Sequence, residues 1–502
     1  MTARPLAIGL DVGTQGTKAL VWDLEEERVV ARASESYGLL ADLAPGAAEQ
    51  HPETWTAAVL DVLARVLEEV DGSAVGALAV SGQQHGCVLL DGEARPLRPA
   101  KLWCDTQTAA EAAELALPAG YTAPKVLWSQ RHEPELFARV ATILLPHDYI
   151  NLFLTGELAA EWGDASGTGY FDARQRRWQS TFFDESLLPP LIEPGAQVGT
   201  LRPELARQLG LGEVPVAAGS GDNMLSAIGA GAGGAGASEA RTSDARANGA
   251  GPNGAGASGT GASDADASGA GVLVISLGTS GTLFTPTAAP LMDPTGEVAP
   301  FCDATGGGLP LVCTMNCTTV TEEVRSAFGL DHRELTLLAA KEPAGCGELR
   351  FLPYLAGERT PNWPGASAVI HGLRSASLAP GPLYRAALEG ASFCLWRGLG
   401  ALERMGVEAR ELRLVGGGAA NLLWRSIIAD LFGLPVRVPL ETETAALGAA
   451  LSAAALITDT PVGTLAAALP MEGEVLSPRP EHTDALRTAA EDHARLSDTL
   501  FA

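Results

Sequence analysis

Apolar residues alternate with smaller ones from Ile8 to Leu10, stop at Gly13-Thr14-Gln15-Gly16, and resume from Ala19 to Trp22. The pattern predicts a strand, a tight glycine turn and a second strand over Ile8 to Asp23. It returns 265 residues later, where Val274 to Leu277 runs into Gly278-Thr279-Ser280-Gly281-Thr282. Both turns read G-T-x-G-T. One copy is compatible with an ordinary hairpin. Two copies argue for two related half-molecules facing one phosphate chain, because glycine turns let backbone N–H groups form an anion-binding concavity.

Between and after the hairpins the period changes. Trp55, Val59, Val62, Leu63, Val66 and Val70 share one helical face over Glu53 to Val70, and Gly76 to Ser81 is a short apolar strand. That strand ends in Gly82-Gln83-Gln84-His85-Gly86, a polar cluster before the next strand, Cys87 to Asp91. Tyr121 to Phe137 and Leu144 to Glu157 are helical in character, with breaks expected at Pro134 and Pro146. Glu161 to Asp172 is small and polar and reads as a structured loop, and Thr200 to Gly212 reads as a connector. The expected domain boundary therefore lies near Leu211, giving domains over 1–211 and 212–502.

The second half opens with a strand over Val214 to Ala218, the turn Gly219-Ser220-Gly221-Asp222-Asn223 and a helix from Met224 to Gly229. Leu349 to Pro361 reads as a strand and a polar loop, and Leu383 to Leu399 as a helix. The strand Glu411 to Val415 then runs into Gly416-Gly417-Gly418-Ala419-Ala420-Asn421 and a helix over Leu422 to Phe432. The alternation of strand and helix over 502 residues predicts two large α/β domains. One stretch breaks the pattern. Ala230 to Gly271 holds 12 Gly and 14 Ala among 42 residues and no larger apolar side chain, so it is expected to be disordered.

Charge narrows the partners. A formal net charge of −26 argues against nucleic acid or an anionic membrane, so a nucleotide has to be held by local backbone donors and a cation. Seven cysteines without a C-x-x-C pair read as buried free thiols of a reducing cytosol, and no apolar run approaches the roughly 20 residues that span a bilayer. A soluble, cytoplasmic protein is expected.

Three kinds of residue could carry chemistry. Asp11 sits just before the first glycine turn, where a carboxylate meets a metal-bound phosphate. Asp222, at a strand-to-helix turn, is a carboxylate beside a positive helix N-terminus and is also compatible with an ordinary helix N-cap. Gln84, His85, Trp103 and Asp105 stand on consecutive loops, although His85 alone is compatible with a loop histidine and Trp103 with core. The three glycines from Gly416 suit close approach to a nucleoside. The dinucleotide-binding G-x-G-x-x-G spacing and the P-loop pattern are both absent.

Taken together, the two G-T-x-G-T hairpins, the G-D-N turn and the G-G-G-A-x-N turn resemble the sugar kinases of the FGGY carbohydrate kinase family. SGQQHGCVLLD, YTAPKVLWSQRHEPELF, LLPHDY, DASGTGYFD, GSGDN, ISLGTSGTLF and FLPYLAGERTP resemble, within it, the branch acting on D-xylulose. The resemblance covers nearly the whole chain outside Ala230 to Gly271. It implies two ribonuclease H-like (actin-like ATPase) domains with the active site in the cleft between them. It implies ATP and Mg²⁺ as cofactors, a small-molecule sugar as substrate, and a homodimer as the candidate assembly. Carried over residue by residue, it makes Asp222 the base and places Asp11 at the metal. Gly13, Thr14, Gln15, Thr17 and Lys18, with Gly278, Thr279 and Ser280, would hold the phosphates. Gly417, Gly418 and Asn421 would lie near the adenosine, and Gln84, His85, Trp103, Asp105 and Asn223 would line the sugar pocket. The chain departs from the family in a shortened segment, Thr108 to Ala119, and in the Ala/Gly insert. Kinases for other ketoses or polyols, and an actin-like nucleotide-binding protein that phosphorylates nothing, are the rival readings.

Overall fold

A computed structural model describes residues 4–233 and 271–502. The Ala/Gly-rich insert, apart from 230–233 and 271, lies outside the described residues.

Two large sheets organise the chain, and they share one plan. In the first, the hairpin strands Leu6–Val12, Gly16–Asp23 and Arg28–Ser36 form an antiparallel meander. Val75–Gly82 adds parallel to Leu6–Val12, Pro215–Gly221 parallel to Val75–Gly82, and Gln197–Thr200 closes the edge. In the second, Val272–Leu277, Gly281–Phe284 and Gly308–Thr314 repeat the meander. Glu411–Val415 and Val436–Pro439 then add in parallel, and Ala299–Cys302 and Met471–Leu476 take the edges. The duplicated G-T-x-G-T motif thus marks a duplicated sheet.

The topology moves the boundary expected near Leu211. Pro215–Gly221 is a strand of the first sheet, hydrogen-bonded to Val75–Gly82, so the chain does not pass to the second sheet until after the helix Asp222–Gly229. Three local readings also change. Pro203–Leu209, read as connector, is a helix with proline in its first turn. Pro146 opens the helix Pro146–Thr155, where its missing N–H costs nothing, and Thr142–Leu144 ahead of it is a strand. The polar stretch after Glu161 contains a short helix, Trp162–Ala165.

Alternation along the strands decides what packs where. Ile8, Leu10, Leu78 and Val80 point into a core with Trp55, Val59, Val62 and Ile150. Ala7, Ala77 and Ala79 on the opposite face belong to a second core, shared with Phe284, Phe301 and Leu311 of the other sheet. Two antiparallel helices, Asp222–Gly229 and Thr444–Thr458, run through that shared core. The residues facing them are small because the backbones come very close. A Cβ on Gly9 would lie 1.9 Å from the Ala446 carbonyl oxygen, one on Gly229 1.9 Å from that of Thr444, and one on Gly448 2.0 Å from that of Leu225. Gly448→Ala should accordingly destabilise by about 1–3 kcal/mol through overpacking, read from denaturant unfolding. A variant as stable as its parent would show that the helices can part without cost.

Six cysteines are buried and free, as expected, while Cys104 is half-buried and also free. No helix among the described residues is long and apolar enough to cross a membrane.

Candidate active site

The first glycine turn is tied down on its sides and left open at its tip. The Gly13 amide donates to the Gly16 carbonyl at 3.0 Å, and the Tyr37 hydroxyl donates to the Gly13 carbonyl at 2.9 Å. Thr14 Oγ1 donates to Gln83 Oε1 at 3.0 Å and accepts the Trp103 indole N–H at 2.9 Å. Thr17 contacts the Tyr37 hydroxyl, and Gln15 is exposed. Trp103 is therefore half-buried against the first glycine hairpin and anchored through its polar edge.

Asp11 is the penultimate residue of its strand, paired across to Lys18 and Ser81. Ser81 Oγ donates to its Oδ1 at 3.0 Å. Burial raises its pKa to about 6, against the pull of the Lys18 charge and the Ser81 hydrogen bond. Lys18, expected at the phosphates, pairs with Glu443 at 2.5 Å. Glu443 stands at the start of Thr444–Thr458, and no motif singles it out in the sequence, since its partner is 425 residues away.

Asp222 is the first helical residue, and Gly221 occupies the N-cap position without a side-chain cap. The ordinary N-cap alternative is thereby removed. Burial, followed by the Asp11 charge, raises the Asp222 pKa to about 7. Asn223 lies between the two halves. Its Nδ2 donates to Gln84 Oε1 and to Asp222 Oδ1, both at 3.0 Å, and its Oδ1 accepts from Thr282 of the second hairpin at 3.2 Å. Gln84, Asp222, Asn223 and the second glycine turn are thus one constellation.

His85 takes an uncommon backbone conformation, φ +66°, at the tip of its loop. Its ring stacks on Tyr121 at 5.0 Å and lies 5.6 Å from Phe301. Gly167 makes room for it, because a Cβ there would sit 2.2 Å from the imidazole Cε1. Burial, then the Arg359 charge, holds the imidazole well below its ordinary pKa, so it is neutral. Gln84 Nε2 is buried without a hydrogen-bond partner, and buried His85 Nδ1 faces only the Gly167 backbone. Asp105 differs: it accepts from Ala48 N at 3.0 Å, Gln107 N at 3.0 Å and Lys101 Nζ at 3.2 Å, so its carboxylate is committed to fixing the loop.

The second turn opens onto a cleft of about 790 Å³ lined by Thr279, Thr318, Tyr384, Gly417, Gly418 and Asn421, with Trp424 at its wall. Gly278 lies at the base of that turn and accepts from Thr318 N at 2.9 Å, and Ser280 is half-buried beside it. Gly416, at φ +81°, brings the chain so near Leu277 that a Cβ would be 2.9 Å from its carbonyl oxygen. Asn421 caps the helix Leu422–Phe432 by accepting from Leu423 N and Trp424 N. The cleft therefore joins the second hairpin to the triple-glycine turn, which the sequence separates by more than a hundred residues.

Paired ribonuclease H-like halves, a glycine hairpin in each, and a half-buried aspartate between them are the features of a kinase of the actin-like ATPase class. The comparisons with known proteins agree. The N-terminal domain of the FGGY family of carbohydrate kinases matches residues 6–119 and 113–229, and its C-terminal domain matches 273–457. This chain belongs to that family. It is 36% identical over 477 residues to a xylulose kinase of Haemophilus influenzae, covering 89% of this chain and 90% of that one. It is 34% identical to a xylulose kinase of Escherichia coli (strain K12), covering 85% and 84%. A crystal structure of a xyloylose kinase from Brucella ovis superposes with a TM-score of 0.86 at 31% identity over 99% of both chains. A xylulose kinase structure from Rhodospirillum rubrum gives 0.83 at 26% identity over 99% of both.

Proposed function

We propose that this sugar kinase is a cytoplasmic enzyme that phosphorylates D-xylulose with ATP and Mg²⁺, giving D-xylulose 5-phosphate and ADP. The observation that carries the sugar assignment is the orphaned buried Gln84 Nε2, on a side chain whose Oε1 accepts from Asn223 beside Asp222, with neutral His85 next along the loop. A buried polar atom without a partner costs about 1–3 kcal/mol, which hydroxyls of a bound sugar would recover. The relatives named xylulose kinase supply the choice among sugars.

In this reading Asp222 accepts the proton of the attacking hydroxyl as that oxygen bonds to the γ-phosphorus and the bond to ADP breaks. Its raised pKa suits a base working near neutrality. Gln84, His85, Asn223 and Trp103 orient the sugar, and Asp105 acts by holding its loop. Gly13, Thr14, Gln15, Thr17 and Lys18, together with Gly278, Thr279 and Ser280, hold the phosphates from both sides, and Gly417, Gly418 and Asn421 receive the adenosine in the cleft. The oxygen donor and partial burial of Asp11 fit a hard divalent cation, and Asp11 would hold it. Bound Mg²⁺ would neutralise charge on the phosphate oxygens. The sugar meets the first sheet with its helix Asp222–Gly229, the nucleoside meets the second, and the phosphates lie between the hairpins of both.

ADP release measured over D-xylulose, D-ribulose, L-ribulose, glycerol and gluconate should give the highest kcat/KM with D-xylulose. A better substrate within that panel replaces the sugar assignment and leaves the family standing. ADP release indifferent to every sugar would instead favour a nucleotide-binding protein without kinase activity.

A further inference from the structure

Behind Asp222 lies a cluster of buried titratable side chains, His147, Asp148, Glu161 and Asp164, to which the proposed phosphoryl transfer gives no role. It begins at an irregularity in the strand Pro215–Gly221. The pairing with Val75–Gly82 shifts register between Ala217 and Ser220, and Gly219 there has φ +66°. Such a bulge bends a strand and re-aims the residues beyond it, here Asp222. The bulge takes the Ala218 carbonyl out of the ladder, and two side chains of Pro146–Thr155 satisfy it. His147 Nε2 donates to it at 2.7 Å and Asn151 Nδ2 at 3.0 Å. Ser220, one residue past the bulge, donates to Glu161 Oε2 at 2.5 Å.

The other nitrogen of His147 faces carboxylates. Nδ1 lies 3.2 Å from Asp148 Oδ1 and 3.7 Å from Asp164 Oδ2, and the imidazole and both carboxylates are buried. Nε2 donates to the Ala218 carbonyl with Asn151 Nδ2 3.1 Å away, so Nδ1 either accepts a proton from Asp148 or Asp164, whose pKa values burial raises, or carries its own, which makes the ring an imidazolium. Burial opposes that charge, but Asp148, Asp164 and Glu161 outweigh it and raise the pKa to about 9. The titratable groups facing this cluster are Asp148 on the same helix, Glu161, Asp164 on the short helix Trp162–Ala165, and Asp222; burial holds Asp148 above and Asp164 well above the ordinary carboxylate range and pushes Glu161 up to about 7. His147 is the basic group among them. Neither oxygen of Asp164 has a hydrogen-bond partner, and Oδ1 lies 3.0 Å from where a Cβ on Gly221 would stand, directly behind the base.

We propose that His147, as an imidazolium, is a positioning residue for Asp222: it pins the bulge that aims the carboxylate and offsets the negative charge buried behind it. The proposal rests on the reading of Asp222 as the base. Losing the charge should leave the fold but displace Asp222 and make its ionisation harder, and a misplacement of about 1 Å costs on the order of 10²-fold in rate.

The test compares His147→Gln, which keeps a donor and loses the charge, with His147→Lys, which keeps both. His147→Gln should lower kcat by about 10²-fold, read well below the melting midpoint, and move the acid limb of kcat/KM to higher pH. His147→Lys should restore most of the rate and the wild-type limb. Nitrogen NMR of the wild-type protein labelled at histidine should show one imidazole doubly protonated at about pH 8, below the raised pKa of His147, a readout that needs no variant to fold. Absence of that signal overturns the proposal, as does a folded His147→Gln protein with wild-type kcat and acid limb. Equal losses in both variants overturn it too, by assigning the effect to shape. A divalent metal found bound in stoichiometric amount, with loss of the doubly protonated signal, would make the cluster a metal site instead. Full activity of an Asp222 variant would sink the base reading while leaving the NMR signal in place, so the two failures are distinguishable.

Discussion

Asp222→Ala lowers kcat by about 10²–10⁴-fold with ATP affinity little changed, the loss expected when a positioned base is removed. Stability should move the other way. The carboxyl titrates at about 7 in the fold because of burial and the Asp11 charge, above its ordinary value of 3.8. An acid whose pKa is raised by folding weakens the fold as pH climbs between those two values, and the alanine variant lacks that penalty. Its melting midpoint at about pH 8 should therefore equal or exceed that of the parent, while at about pH 3 the difference disappears. The same ionisation predicts that wild-type kcat/KM falls as pH drops through about 7. A variant with near-normal turnover and a lowered midpoint would mark Asp222 as structural and remove it from the mechanism.

Asp11→Asn is the second large effect. Asn keeps the shape and can still meet Ser81, but it removes the charge that a divalent cation needs. Turnover should fall by orders of magnitude, in the range of about 10²–10⁴-fold seen for removal of a reacting-site group, and the Mg²⁺ concentration giving half-maximal rate should rise. Asp11 also contributes repulsion at Asp222. Its removal should bring the base's pKa down, so that the residual activity of Asp11→Asn persists to lower pH than in the wild type. Mg²⁺ titration curves identical in rate and midpoint to the parent's would reduce Asp11 to a strand-end residue.

The duplicated sheet was legible because its defining feature is local and repeated. G-T-x-G-T after an apolar strand fixes the hairpin wherever it occurs, and both hairpins formed where the alternation placed them. Sheet membership was not legible for Pro215–Gly221, since a strand's sequence states its period and not its neighbour. Pro203–Leu209 was hidden for a different reason: seven residues headed by proline give too few turns for a periodic signal, and only Leu205 and Ala206 are buried. Within the site, hydrogen bonds join Gln84, Asn223 and Asp222, residues that the family resemblance and not the spacing singled out. Asp105 shows the limit of that reading, because an acid on a loop looks the same whether it awaits a ligand or ties the loop to Lys101. Lys18 with Glu443, and His147 with Asp164, are pairs that only folding brings within reach.

The glycines between the two core helices also bear on how the halves of the molecule can move. Gly229 meets the turn at Thr444 and Gly448 meets the turn at Leu225, so backbone rests on backbone over one helical turn. Sliding one helix along the other by a residue would bring a side chain against a carbonyl oxygen, which a packed core does not absorb. Rolling about the contact keeps both glycines in place. Relative movement of these two helices is therefore expected to be a roll about the glycine contacts and not a slide along them.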